Sequence, residues 1–563
     1  MAAHIMTGPF CPPAPDDKIT IPLLMTKYNP DSVPADKVVH LDTIANKSLT
    51  YGGLREQAAR CAWGLQYRMG MKEQDKLLVI LPNSTDFIIL AHATLWLGAI
   101  FSPLNTSSLA KDIAHALALV QPSHIAIDPS KLEAVNAAFQ QLGWEESARP
   151  KVFTVLRRSG NLKLFPDDIA GQTPDQSLPP FDLGGRSTKD VTGLIVFSSG
   201  TTGKIKGVQL SHYNVVSNIL QTRISMPWMM NHASREVFFP PLFNGMWIGS
   251  FSCGIPAFDL DLFCRKMEEH QATWAHIVPP VAIQLANSDI AAKYELSSMK
   301  IILISAAPTK RDLQMKLKAR FGRDVKIVQG YGMSECSPTV LVQSPLDDEN
   351  NIGTAGKPVC GTELRLVDPV TLKDVAPGEE GELWVRGPQT MMGYYNNEQA
   401  TRETYVNDWL RTGDIMRVDE NGNFWVTDRL KEVNAGLHTV DIELTSLQLI
   451  KYKGFQVPPS ELEDLLLRHP SVVDAAVTSI YSDEQATELP IAYVTLPATT
   501  PASQKQGLLA EIRSWADGQV AGYKKLRGGV FELSSLPKTP SGKILRRELP
   551  CKKAQSEGRA AKI

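Results

Sequence analysis

Ten residues, Ser198-Ser199-Gly200-Thr201-Thr202-Gly203-Lys204-Ile205-Lys206-Gly207, carry four hydroxyls, three glycines and two lysines. Glycines let backbone N–H groups come close to oxygens, hydroxyls add donors, and an ammonium supplies charge. That composition suits a grip on polyphosphate. The apolar run Leu194-Ile195-Val196-Phe197 precedes it and Val208-Gln209-Leu210 follows, so the loop joins two strands. It is not a Walker A loop, because Ser198 stands where that motif has its first glycine and Ile205 follows Lys204. By composition alone, a solvent-facing Ser/Thr/Gly loop fits as well.

Such a loop needs a frame to hold it. At 563 residues the chain exceeds one ordinary core, and two or more domains are expected. Apolar strands at His124-Ile125-Ala126-Ile127, Lys151-Val152-Phe153-Thr154-Val155, Lys300 to Ile304 and Lys326-Ile327-Val328 alternate with helical patterns. Lys76 to Leu81 adds another strand, and Leu49-Thr50-Tyr51 leads into an amphipathic helix. This alternation predicts mostly parallel sheets covered by helices. From Gly361 the texture changes to short strands, Glu363 to Val367 and Gly381 to Gly387, which reads as an all-β stretch. After Asp428 a smaller α+β unit is expected, with a helix from Pro459 to Arg468 and a strand at Ala475-Ala476-Val477.

Several classes drop out. A net charge of −2 and no basic run interleaved with aromatics argue against nucleic acid. Seven cysteines, none in a C-x-x-C pair, suggest reduced thiols and no zinc site. The first residues lack the pattern of a signal peptide. The run from Phe87 to Phe101 is interrupted by His92, Thr94 and Gly98, with Asn83 and Asp86 expected to cap it; it reads as a buried helix, not a membrane span. Residues 172–187 read as a linker, and Leu183-Gly184-Gly185-Arg186-Ser187 within it only mimics a phosphopantetheine attachment sequence. The tripeptide Ala561-Lys562-Ile563 is similar to the Ser-Lys-Leu class of peroxisomal address, so a peroxisomal import receptor is an expected partner, with a cytoplasmic location otherwise.

Five more segments follow the loop in fixed order. They are Gln329-Gly330-Tyr331-Gly332-Met333-Ser334-Glu335, Trp409-Leu410-Arg411-Thr412-Gly413-Asp414, Asp428-Arg429-Leu430-Lys431-Glu432, Lys451-Tyr452-Lys453-Gly454-Phe455-Gln456 and Pro540-Ser541-Gly542-Lys543-Ile544-Leu545-Arg546-Arg547. Together they resemble the adenylate-forming acyl-CoA synthetase (AMP-binding enzyme) family, most closely its 4-coumarate:CoA ligase-like branch, over about residues 45–550. The resemblance implies an α/β fold. A large N-terminal ATP- and acyl-binding domain of helix-flanked sheets with a β-rich subdomain spans residues 1–430, and a small mobile α+β C-terminal domain spans 431–563.

It also implies a chemistry. A carboxylate attacks the α-phosphate of ATP, pyrophosphate leaves, and the thiol of coenzyme A then attacks the acyl-adenylate. Such catalysis is charge neutralisation and positioning. By resemblance, Ser198, Ser199, Gly200, Thr201, Thr202, Gly203 and Lys206 hold the β- and γ-phosphates, Ser334 donates to the α-phosphate, and Glu335 is a Mg²⁺ ligand. Gln329, Gly330 and Tyr331 face adenine from one side and Ala307-Pro308 from the other. Asp414, closing a tight Thr-Gly-Asp turn, accepts the ribose hydroxyls with Arg429 nearby. Lys543 is the expected catalytic ammonium, assisted by Lys206 and Ser334, bridging carboxylate and α-phosphate in the transition state. Taken singly, each has a plainer reading: a structural turn aspartate, a packed tyrosine, a solvated tail lysine. The ordered set overturns those readings.

The same resemblance implies domain alternation about a hinge at Lys431. The C-terminal domain presents Lys543 first, then Lys451, Lys453 and Gly454 to coenzyme A. Tyr523 to Gly529 is basic, which a solvated turn explains as well as contact with a CoA phosphate. The acyl pocket is expected to be bounded by Asn244, Met246, Trp247, Ser305 and Met333. Asn244 stands where the family usually has histidine, so no charged imidazole is available there. Ala257 stands where coumarate ligases often carry a lysine.

The larger departure is residues 433–448, sixteen residues between Glu432 and Leu449; without them the segment reads as the family does. Thr439 to Leu444 alternates polar and apolar, which suits a hairpin extension. A translated, unspliced intron is the other reading: the length is a whole number of codons, valine codons begin with GT, and a glutamine codon can end in AG. An insert at the hinge is expected to spare adenylation more than thioester formation. The expected activity is an ATP-dependent carboxylic acid:CoA ligase using Mg²⁺. The alternatives are transfer of the acyl group to a carrier protein or amine, and a silent nucleotide- or acyl-adenylate-binding protein. Aryl, cinnamoyl and medium-chain acids all remain open.

Overall fold

The computed structural model describes residues 5–9, 16–199, 205–238, 248–256, 258–305, 311–322, 324–346, 351–429, 450–453, 455–497, 499–537, 544 and 546–552. They fall into two compact units, one of 1–198, 206–277 and 284–427, the other of 199–205, 278–283 and 428–563.

The first unit holds three sheets. In the eight-stranded one the strand Lys76–Ile80 lies between Ile100–Pro103 and His124–Ile127, parallel to both, with Lys151–Val155 next outward. Leu77, Leu78, Val79 and Ile80 are all fully buried, as a parallel strand covered on both faces must be. The apolar run expected as a single helix is instead a wholly buried helix, Thr85–Trp96, followed by a strand. Gly98, at φ +80°, turns the chain between them. The cap also differs: Ser84 accepts from Phe87 N, while Asp86 pairs with Lys47 at 3.2 Å. Among the described residues no helix is long and apolar enough to cross a membrane.

The nine-stranded sheet places Arg235–Phe238, Trp274–Ile277, Ile301–Ile304 and Lys326–Gly332 side by side and parallel. Ligands of open α/β sheets gather at the carboxyl ends of such strands. Lys326–Gly332 is longer than its apolar run suggested, because past Gln329 it pairs antiparallel with Thr339–Val342. The third sheet, around Glu363–Val367, Gly381–Arg386 and Trp409–Val418, is the expected β-rich region.

The second unit has a core of its own, built on the sheet Asp474–Ser482, Thr487–Thr495, Gly529–Glu532 and the helices Pro459–Leu466 and Ala502–Asp517. The basic stretch at Tyr523 is more than a solvated turn. Lys524 is buried and paired with Glu461 at 2.7 Å, Tyr523 stacks on Phe455 at 4.6 Å, and Arg527 lies 4.4 Å from the Tyr452 ring centre.

Six described cysteines, Cys61, Cys253, Cys264, Cys336, Cys360 and Cys551, are buried. Three buried imidazoles, His40, His92 and His212, are pushed from 6.5 down to about 4 by burial. Between those values the unfolded chain holds protons that the folded chain refuses, so stability is full above pH 6.5 and drains as pH falls toward 4, by about 1.4 kcal/mol per pH unit for each ring. Glu236, raised to about 8 by burial, acts oppositely, as do Asp86 and Glu463, which burial also raises, while His124, His270 and His276, lowered by burial, act with the three imidazoles. The thermal midpoint is therefore expected to fall steeply between pH 6.5 and 5. Calorimetry showing a constant midpoint over that range would contradict this.

Candidate active site

The glutamate of the Gly332-Met333-Ser334-Glu335 segment sits in a short 3₁₀ turn, Ser334–Cys336, and is 7% exposed. Its Oε1 accepts from the Tyr394 hydroxyl at 2.9 Å. The Lys206 ammonium lies 4.5 Å from the centre of the same tyrosine ring. Burial pulls the Lys206 pKa down and the Glu335 charge opposes that shift. Burial and the Glu335 carboxylate both push the Tyr394 phenol up, so it stays a donor. Carboxylate, phenol and ammonium thus form one cluster, with Lys206 near the start of Ile205–Ser211, the strand that follows the glycine-rich loop. Ser198, at the loop's other end, has a buried Oγ with no partner among the described residues. Such a hydroxyl is able to donate to a ligand oxygen or to water.

Asp414 is not in a tight turn, as the sequence suggested, but in a bulge within the continuous strand Trp409–Val418. The register against Gly381–Arg386 shifts between Glu382 and Trp384, and Gly413 adopts φ +73° to carry the extra backbone. Glu382, 1% exposed, holds the bulge from beneath, accepting from Gly413 N at 3.1 Å and pairing with Arg411 at 3.0 Å. The bulge aims Asp414 at Tyr331, whose hydroxyl donates to Oδ2 at 2.7 Å. Burial and that carboxylate raise the Tyr331 phenol well above its ordinary value. Tyr331 therefore arrives tied to the aspartate expected to take the ribose. Gln329 is buried and its backbone N–H donates to Gln343 Oε1, while Gly330 lies on the opposite face of the strand.

Ser305 follows Ile301–Ile304, and its Oγ lies 2.6 Å from His276 Nε2. Met333 is partly buried against the main core. In the second unit, Lys451 lies within the first strand of the hairpin Ile450–Tyr452 and Phe455–Val457, and Lys453 lies in the turn that follows that strand. Lys451 N donates to Glu488, Lys453 N to Thr487 at 2.7 Å, and Lys453 takes φ +49° at the turn.

Gly200, Thr201, Thr202, Gly203, Asn244, Met246, Trp247, Ala307, Pro308, Lys431, Gly454, Lys543, residues 433–448 and the tripeptide at 561–563 lie outside the described residues, as do the side chains of Ser199 and Arg429. Reading the sequence missed Tyr394, Glu382 and His276. Tyr394 stands in Gly393-Tyr394-Tyr395, a polar-aromatic break that offered a signal; Glu382 looked like an ordinary alternating strand residue.

Two family descriptions match the chain, "AMP-binding enzyme" over residues 29–395 and "AMP-binding enzyme C-terminal domain" over 461–543. A Dictyostelium discoideum protein named "Probable 4-coumarate--CoA ligase 2" is 33% identical over 535 residues, covering 91% of this chain and 92% of that one. "Peroxisomal OPC-8:0-CoA ligase 1" of Arabidopsis thaliana is 32% identical over 526 residues, covering 91% and 90%. In fold, the chain is similar to the amide bond synthetase McbA from Marinactinospora thermotolerans, with a TM-score of 0.77, 22% identity and coverage of 94% and 98%.

Proposed function

Because the chain belongs to the AMP-binding enzyme family, we propose that it is an ATP-dependent carboxylic acid:CoA ligase, forming an acyl-adenylate and then an acyl-CoA thioester. The observation that carries this reading is the Glu335–Tyr394–Lys206 cluster beside the glycine-rich loop.

In this reading Lys206 and the loop donors neutralise the outer phosphates, and Ser334 donates to the α-phosphate. Asp414, oriented by Tyr331 and the Glu382 bulge, accepts from the ribose. Among the described residues there is no group of three acidic, histidine or cysteine side chains able to hold a metal by themselves. A lone buried carboxylate suits Mg²⁺ that is carried mainly by ATP, since that ion keeps phosphates and waters as most of its ligands. Glu335 would hold it, and the ion when bound offsets the charge of the leaving pyrophosphate.

Replacing Tyr394 with phenylalanine keeps the ring beside Lys206 but removes the donor that orients Glu335. The Mg²⁺ concentration needed for half-maximal ATP binding is expected to rise about tenfold. Titration calorimetry at several Mg²⁺ levels measures this; an unchanged dependence would separate Tyr394 from the ion. For the ligase reading as a whole, pyrophosphate release is followed over a panel of acids, then thioester formation on adding coenzyme A. Release that no acid stimulates would refute it. The tripeptide Ala561-Lys562-Ile563 supports peroxisomal import, and a peroxisomal relative is compatible with it. A fluorescent fusion lacking those three residues should lose peroxisomal localisation; retained localisation would argue against their role.

A further inference from the structure

Among the described residues, the hairpin that carries Lys451 and Lys453 is a sheet of its own, Ile450–Tyr452 paired with Phe455–Val457. Two strands of three residues are at best marginally stable alone in water. Their hold on the neighbouring sheet is made by side chains. Lys451 N donates to Glu488 Oε2 at 2.6 Å. Thr487 Oγ1 accepts from Lys453 N at 2.7 Å and donates to the Lys451 carbonyl at 2.9 Å. One hydroxyl thus spends its proton and a lone pair on two backbone groups that lie two residues apart.

Thr487 is itself well fixed. It opens the strand Thr487–Thr495 opposite Ser482 of Asp474–Ser482, and it is 4% exposed. Its β-branch restricts χ1, so the oxygen has little freedom to turn away. The demand on it is specific. Lys453 holds φ +49°, a left-handed backbone that a lysine keeps only where its surroundings enforce it. The return strand is secured by other means, through Phe455 stacking on Tyr523 at 4.6 Å. The conformation of the chain at residue 453 therefore leans on the threonine hydroxyl.

We propose that Thr487 is a positioning residue for thioester formation: its hydroxyl sets the turn that presents Lys453 to coenzyme A. This rests on the ligase reading and adds a residue to its second step. Ile544 and Arg546, which follow Lys543 in sequence, are held by different groups, the core of the second unit and Glu463. Loss of the Thr487 hydroxyl should thus divide the two steps.

Rapid-quench measurement on the full chain separates them, using cinnamic, 4-hydroxycinnamic and octanoic acids for pyrophosphate release and their adenylates with coenzyme A for thioester formation. Thr487→Val keeps the shape and leaves Lys453 N–H and the Lys451 carbonyl without their partner. It is expected to slow thioester formation about ten- to a hundredfold and to change pyrophosphate release far less. Thr487→Ser, which keeps the hydroxyl, should retain most of the rate. If the valine variant does not fold, Thr487→Ala is read in the same way, and hydrogen exchange over residues 450–457 of the unaltered chain gives a second measurement. Slow exchange there is expected; exchange at the rate of an open loop overturns the proposal. So does thioester formation by the valine or alanine variant at the parent's rate, and so does an equal loss in both steps, which marks a general structural role. A parent that releases pyrophosphate with none of the acids, or forms no thioester, overturns the ligase reading and the proposal with it.

Discussion

Replacing Lys543 with alanine is expected to lower acid-dependent pyrophosphate release by about 10²- to 10³-fold, the usual loss when one preorganised donor to developing charge is removed. The neighbouring residues explain why so exposed a residue type could be held to that task. Three residues on, Arg546 makes a bidentate pair with Glu463 at 2.7 and 2.6 Å and donates to the Val477 carbonyl at 3.1 Å. Glu463 is buried, and its Oε1 also accepts from Val477 N. Ile544 packs against the second unit's core. Ile544 and Arg546, one and three residues after Lys543 in sequence, are thus held to the second unit's core. Thioester formation from added acyl-adenylate serves as the control, since the proposed second step relies on Lys453 and not Lys543. A K543A protein that released pyrophosphate within threefold of the parent would sink the assignment.

Deleting residues 433–448 is expected to raise CoA-dependent thioester formation about a hundredfold and to change pyrophosphate release far less. The described chain ends one strand at Arg429 and begins the next element at Ile450, where backbone bonds to Glu488 and Thr487 fix the hairpin that carries Lys451 and Lys453. Folding tolerates extra chain there, because closing a loop costs only about 0.6 kcal/mol per doubling of its length. Catalysis is less forgiving: a displacement of about 1 Å in a positioned group can cost a factor of 10². Rapid-quench measurement of both half-reactions, with and without the segment, decides. Equal thioester rates would show that the hinge works with its insert. Spliced messenger RNA that always contains the segment would dismiss the intron origin.

The parallel strands and the β-rich region could be anticipated because burial on both faces leaves uninterrupted apolar runs, and alternation of one-sided strands leaves a period of two. His124–Ile127, Lys151–Val155 and Glu363–Val367 end where their side-chain pattern does. Boundaries failed where backbone conformation, not hydrophobicity, decides them. Gly98 splits one apolar run into helix and strand, and Gly413 turns an apparent turn into a bulge. Candidate site residues carried by short motifs could be named from the sequence. Residues that touch those motifs from distant strands, Tyr394 on Glu335 and Glu382 on Gly413, have no local pattern and emerge only when the chain is folded.

The buried cysteines acquire a meaning once the product is considered. A mixed anhydride of an acid with AMP acylates any thiolate it meets, and the thiol of coenzyme A exchanges with accessible disulfides. Burial pushes Cys61, Cys253 and Cys264 up to about 12 and raises Cys336 well above its ordinary value, leaving them protonated and enclosed. Since the thiolate is the reacting form, these sulfurs are neither nucleophiles nor exchange partners near neutral pH. The protein can thus generate a strong electrophile and admit a free thiol without turning either on those sulfurs. Its chemoselectivity is partly a matter of where its own thiols have been put.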